Sequence, residues 1–353
     1  MAIIQTAGIQ SPLLSIVITC YNASAYIERC LNSVVADNDC SRTEVICVDD
    51  GSADNTPALL RDFASRYPQQ ISLITKENGG PSSARNAGMD LARGRFLMFI
   101  DVDDYINADT LVKIYDICDD ASHPDVAIFS YNRVARSGVA SQVIFDDKTY
   151  TDRDLDLFFR VIYGNFHPWA KVYSVDFLNG ARYDNSLRFL EDCHFNTLVF
   201  SRCKKISTYS LVLYNYIFNG QNLTSKYYGD YFWYTLSTNR DVLTHTYANL
   251  QCSEQSRQEL LAQAYHGYAF DILIEIYSIY RAGNRPKRHK YSLMKAILSD
   301  IPQIMPIDQW HARLNTGIPS IFSRLTRIHP RLGHLFLSTI FNIERIKKRI
   351  YGK

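Results

Sequence analysis

The sequence contains no run of about 18 apolar residues, the length a membrane-spanning helix needs. Its first eleven residues, Met1 to Ser11, lack a basic segment followed by an apolar stretch. Neither a spanning helix nor a secretory leader is expected, and the chain reads as made and kept in the cytosol. An excess of one charge is also missing. The formal net charge of +2 over 353 residues is far from the basic balance of a nucleic-acid binder, so no nucleic-acid partner is expected. Eight cysteines are present, but none forms a Cys-x-x-Cys pair and several sit in apolar runs, Cys47 among them. That pattern points to buried thiols in a reducing compartment rather than to disulfides or zinc. Two Asn-x-Ser/Thr triplets, at Asn22 and Asn222, are then chance matches to a glycosylation signal.

What is present is an ordinary globular composition, 46% apolar and 21% charged. Short apolar runs alternate with helical stripes over the first hundred residues. Leu14–Cys20, 45–48, Ile71–Thr75 and 96–100 read as buried strands, too brief for helices. Between the first two, a stripe of Ala25, Ile27, Leu31, Val34 and Val35 predicts a helix. Asp54-Asn55-Thr56-Pro57 offers caps and an early proline for a second helix ending near Tyr67. Ser82 or Ser83 is expected to cap a third that runs to Ala92. The expected fold is α/β: a mostly parallel sheet flanked by helices, with a helical C-terminal region. Helices are also predicted at 152–163 and 192–201, and strands at 125–130 and 208–216. The expected organisation is a flexible lead at 1–11, a main domain at 12–225 and a helical region at 226–353. Parallel sheets bind ligands beyond the carboxyl ends of their strands. Tyr21-Asn22, Asp49-Asp50, 76–85 and 101–104 all fall there.

Asp101 and Asp103 alternate on an extended segment, so they can face one point. Two adjacent carboxylates repel unless a cation lies between them, and substrate phosphates commonly complete the shell of a hard divalent ion. A solvated acidic turn is the plain alternative, and the preceding buried strand favours the cation. Asp49-Asp50-Gly51-Ser52 follows another strand, where a carboxylate can accept a pyrimidine N–H or can simply cap the next helix. Gly79-Gly80, entering a helix with Arg85 a turn later, can bring N–H groups and charge to a phosphate. The segment fits neither G-x-G-x-x-G nor a Walker loop. Glu191-Asp192 offers a general base or an ordinary acidic helix start. Trp169 suits the face of a sugar, and suits a core equally well.

Taken in order, 14–22, 48–52, 78–88, 101–104 and 190–192 resemble the successive motifs of the family 2 glycosyltransferases, of GT-A fold. The resemblance covers roughly residues 12–220. It implies that Thr19, Tyr21 and Asp50 hold the nucleobase and that Arg85 approaches the donor phosphates. It further implies that Asp101 and Asp103 hold Mn2+ or Mg2+, and that Asp192 is the catalytic base. Trp169 and Glu191 are acceptor-side candidates. The implied reaction is inverting transfer from a nucleotide-diphospho-sugar, with UDP as the expected nucleotide, to a glycan acceptor of a bacterial envelope. The processive members' Gln-x-x-Arg-Trp motif is missing, which points to single additions.

From Arg324 onward there are eight Lys or Arg and one acid, Glu344. Beyond Pro330 the apolar residues space as a basic amphipathic helix. Two readings stay open for it: peripheral attachment to an anionic membrane carrying a lipid-linked acceptor, or packing on the protein. The basic cluster at 281–290 can add to the same surface. Two rival functions are a sugar nucleotidyltransferase, whose Gly-rich basic signature after the first strand is missing, and a non-catalytic carbohydrate-binding subunit.

Overall fold

The computed structural model describes residues 2–4, 8–135, 138–151, 167–187, 190–217 and 287–304, with ten isolated positions after 253. The chain divides into two compact units, 1–221 and 222–353.

In the first unit, β2 (Leu14–Cys20), β3 (Thr43–Asp49) and β5 (Phe96–Asp101) lie side by side and parallel, with β4 (Ile71–Thr75) parallel beyond β3. Their residues are almost wholly buried, which is why each reads as a continuous apolar run and not as an alternation. Between them run α1 (Ile27–Val35), α2 (Thr56–Arg66) and α3 (Gly80–Leu91). Antiparallel strands extend the sheet on the β5 side. β10 (Lys171–Ser174) joins β5 to β7 (Val126–Ala135), and β7 pairs in parallel with β11 (Lys205–Ile217). β6 (Tyr105–Ile106) and β9 (Lys148–Thr151) flank β11, and β8 (Gly138–Val143) flanks β7. The result is an α/β sheet of eleven strands among the described residues.

Several local expectations change. Part of the expected flexible lead is a strand, β1 (Ala2–Ile4), antiparallel to β4. An edge strand offers a free row of backbone donors and acceptors that a short apolar segment can pair with. Ala25 is exposed and precedes α1, whose buried stripe is Ile27, Cys30, Leu31, Ser33 and Val34. Neither Ser82 nor Ser83 caps α3: the helix begins at Gly80, and the Ser82 hydroxyl donates to the Leu187 carbonyl at 2.8 Å. Gly88 lets α3 lie against β2, because a Cβ there would fall 2.3 Å from Val17 Cγ1.

Downstream are α4 (Thr110–Asp119), α5 (Val175–Leu178) and α6 (Glu191–Phe200). The helix expected at 152–163 lies outside the described residues. So does Cys252. Of the other cysteines all but Cys193 are buried, and burial holds the thiols of Cys40, Cys47 and Cys118 up at about 12.

In the second unit, α7 (Lys287–Ile304) buries Lys290, Met294 and Ile297 along one side. The His334 ring meets Tyr291 edge-on at 5.2 Å, so the start of the expected tail helix touches protein. Residues 335–353 lie outside the described residues. No helix among the described residues is long and apolar enough to cross a membrane.

Candidate active site

The register of the parallel strands sets the site. Thr19 stands opposite both Val48 and Asp101, and Cys20 opposite Asp49, so the ends of β2, β3 and β5 line up on one edge of the sheet. The loops leaving β2 and β3 are then stitched together. Asn22 N–H donates to Ser52 Oγ at 2.9 Å, and Asn22 Oδ1 accepts from Ala53 N–H at 2.9 Å. Asn22 adopts a left-handed φ of 48°, which asparagine tolerates better than most residues. This turn leaves the Tyr21 ring 55% exposed beside the strand ends, a free aromatic surface. Thr19 is half-buried next to it.

Asp50 is 4% exposed, and three donors reach its carboxylate: Lys76 Nζ at 2.6 Å, Gly79 N–H at 3.0 Å and Gly80 N–H at 2.8 Å. This corrects the expectation for the glycine pair. Its N–H groups face Asp50, which caps α3 from another loop, and not a phosphate. A carboxylate at a helix N-terminus is favourable because it meets unpaired N–H groups and the positive end of the helix dipole. Gly51 is needed beneath it, at φ 76°, since a Cβ would fall 2.8 Å from Asn78 N. Lys76 had no signal in the sequence beyond its place after a strand.

Arg85 is also placed differently from the expectation. Its guanidinium is 6% exposed and joins two acids, Glu191 Oε1 at 2.8 Å and Asp101 Oδ1 at 3.2 Å. Burial opposes its charge, but Asp101, Tyr183 and Glu191 together keep it firmly protonated. Its terminal nitrogens are thus committed to carboxylates, and it bridges β5 to α6. Glu191, itself 8% exposed, is one end of that bridge.

Asp192 is the next residue, and it has no ion pair among the described residues; its Oδ1 accepts only its neighbour Cys193 N–H, at 2.7 Å. Burial, then the charge of Glu191, pushes its carboxyl up to about 7, with Arg85 pulling the other way. Asp101 is near enough to raise it as well. A carboxyl poised near neutral pH is suited to taking a proton.

Asp101 has a side chain 30% exposed, and Asp103 is half-buried. Burial and the charge of Asp101 push Asp103 up to about 6. An acidic neighbour pressing on a partly buried carboxyl is a repulsion that a divalent cation would relieve, so the pair fits Mn2+ or Mg2+ with substrate oxygens completing the shell. No group of three or more His, Cys, Asp or Glu side chains gathers as a metal site among the described residues.

Trp169 is corrected from sugar platform to core. It is 6% exposed, with the rings of His167, Tyr214 and Tyr216 parallel to it at 3.5, 4.7 and 5.2 Å. Lys171, two residues on, is fully buried; its Nζ donates to the His167 carbonyl at 2.7 Å, and burial holds it well below the usual lysine range. A half-open cavity of about 370 Å³ lined by Arg42, Arg93 and Arg95 lies at the opposite ends of the strands and takes no part in this site.

Residues 15–170 match the family described as glycosyl transferase family 2. That segment is a little under half of the chain, and over it the chain is similar to glycosyl transferase family 2. Over 60% of its length it is 31% identical to the poly(ribitol-phosphate) beta-N-acetylglucosaminyltransferase TarS of Staphylococcus aureus, and spans 37% of that protein. It is 28% identical, over 60% of its length, to the uncharacterized glycosyltransferase EpsJ of Bacillus subtilis, of which it spans 63%. The chain thus covers less than two thirds of either relative. Among solved structures, S. aureus TarS 1-349 in complex with UDP-GlcNAc superposes with a TM-score of 0.64 at 21% identity, covering 94% of this chain and 91% of that one. That likeness speaks for the fold.

Proposed function

We propose that this protein is an inverting glycosyltransferase that moves a sugar from a UDP-sugar to a hydroxyl of an acceptor glycan in bacterial cell-surface polysaccharide assembly. The observation that carries the reading is an unbridged, near-neutral carboxyl, Asp192, next in sequence to Glu191, which one buried arginine, Arg85, ties to Asp101 of the acidic pair. The match to glycosyl transferase family 2 and the activity named for the S. aureus relative support the reaction class and the UDP-sugar donor.

In this mechanism Tyr21 stacks on the base, Thr19 lies beside it, and Asp50 fixes the loop that faces it. Asp192 takes the proton from the acceptor hydroxyl as that oxygen attacks the anomeric carbon. The bond to the diphosphate breaks in the same displacement, so the configuration inverts. A divalent cation held by Asp101 and Asp103 would neutralise the charge gathering on the departing diphosphate. Arg85 stays paired and keeps the base segment and the acidic turn in one frame. The acceptor is lipid-linked in this reading, and the basic tail lies against an anionic membrane surface on the cytosolic side.

The test is a screen of UDP-sugars with the full chain, reading UDP release with Mn2+ and with excess chelator. Metal-dependent release from at least one donor is expected. Thermal stabilisation without any release would leave a binding protein in place of an enzyme, and full activity in chelator would remove the metal from the mechanism.

A further inference from the structure

The turn that carries Asp101 and Asp103 is held from behind by a strand more than a hundred residues away. Tyr214, in β11, is fully buried. Its hydroxyl oxygen accepts the Asp101 backbone N–H at 3.1 Å and donates to Asp104 Oδ2 at 2.8 Å. The other oxygen of Asp104 accepts the Ile217 N–H at 2.7 Å, from the end of the same strand. Within the turn, Asp104 N–H donates to the Asp101 carbonyl at 3.0 Å, and Arg29 donates to the Asp103 carbonyl. The backbone on both sides of Asp103 is thereby anchored. Asp104, 1% exposed, spends both carboxylate oxygens on β11. The Tyr214 ring is in turn fixed by its parallel contact with Trp169 at 4.7 Å.

We propose that Tyr214 is a positioning residue for the metal-binding turn: through Asp101 N–H and Asp104 it sets the separation and aim of the Asp101 and Asp103 carboxylates. The inference rests on the reading of that pair as the cation site. Asp101 and Asp103 need to be presented to an ion at a fixed spacing, and a free turn would have to be ordered each time the ion bound. The hydroxyl of Tyr214 reaches both ends of the turn at once from outside it, and so ties the closed turn to β11. The aromatic stack beneath it supplies the rigidity. Trp169 therefore serves the site indirectly, by fixing the ring that fixes the turn.

Tyr214→Phe keeps the stack and removes only the hydroxyl. The experiment measures Mn2+ binding by calorimetry in the presence of UDP, Mn2+ dependence of transfer, and UDP binding in chelator, for wild type and variant. Mn2+ affinity should fall roughly fivefold to tenfold, the worth of one or two hydrogen bonds. Saturating Mn2+ should restore most of the turnover, and UDP affinity in chelator should not change. Asp104→Asn should move Mn2+ affinity in the same direction by less, and it stands in if Tyr214→Phe fails to fold. A lower melting temperature with unchanged Mn2+ affinity in the folded variants would overturn the positioning role. If wild type binds no Mn2+ in the presence of UDP, the cation site itself falls, and that arm is read before any variant.

Discussion

At the proposed donor half of the site, on the ends of β2 and β3, polar groups find partners within a few neighbouring loops. Asp50 takes three donors, Asp49 accepts from Ser52 N–H, and Asn22 ties two loops. At the proposed base half the accounting differs. The five buried side-chain atoms without a hydrogen-bond partner among the described residues are Arg85 Nε, His167 Nε2, Tyr183 Oη, His194 Nδ1 and Thr197 Oγ1. Each belongs to α6, to the segments packed near it, or to the arginine that reaches it. The same half contains Lys171 and His167, held well below their usual ranges by burial, and Asp192, held well above. Desolvation without full compensation shifts proton affinities and costs stability, so such groups gather where chemistry needs them. One half is a satisfied scaffold. The other holds buried polar groups without full compensation.

The sharpest test of that contrast is Asp192→Asn beside Glu191→Gln. Asp192→Asn should lower transfer by ~10²–10⁴-fold, with UDP affinity intact. Glu191→Gln weakens its bond to Arg85 but leaves the base, and should cost transfer far less. The reverse ranking would move the base by one residue. Next in size, Asp103→Ala should lower transfer by about 10²–10³-fold in a folded protein, the usual worth of removing one group that stabilises developing charge. Retained activity would put the charge stabilisation elsewhere.

In the donor half, Asp50→Ala should act on stability first. It strands Lys76 and uncaps α3, with a loss of roughly 3–5 kcal/mol, the usual cost of breaking a buried pair. Thermal unfolding checks this; unchanged stability together with lost UDP affinity would return Asp50 to direct base recognition. The last expected effect, similar in size, is the pH signature of Asp192. Its folded value of about 7 lies above the ~3.9 of an unfolded aspartate. Protonation therefore favours the folded state, and that contribution is present below ~4 and lost as pH rises through 7. Asp192→Asn should melt above wild type at pH 8 and match it near pH 4. Wild-type transfer should fall as pH drops below about 7, because the base must be ionised.

The sequence by itself determined the parallel strands, the helices between them and the places where acids collect. Each of those depends on a period or a short motif local to the chain, as in Leu14–Cys20 or Asp101 with Asp103. Only the tertiary structure decided which partner each charged group would take. Arg85 looks like a free phosphate ligand until Glu191, 106 positions later, is placed beside it. In the sequence only the family resemblance separates Asp192 from Glu191; in the structure Glu191 is bridged to Arg85 and Asp192 is not. Trp169 reads as a platform or as core, and His167, Tyr214 and Tyr216 settle it as core. Tyr214 carries no signal at all, being one tyrosine in a chain with 24. The physical reason is common to these cases. Secondary structure answers to neighbours a few residues away, but burial and charge pairing depend on what the folded chain brings from a hundred residues off.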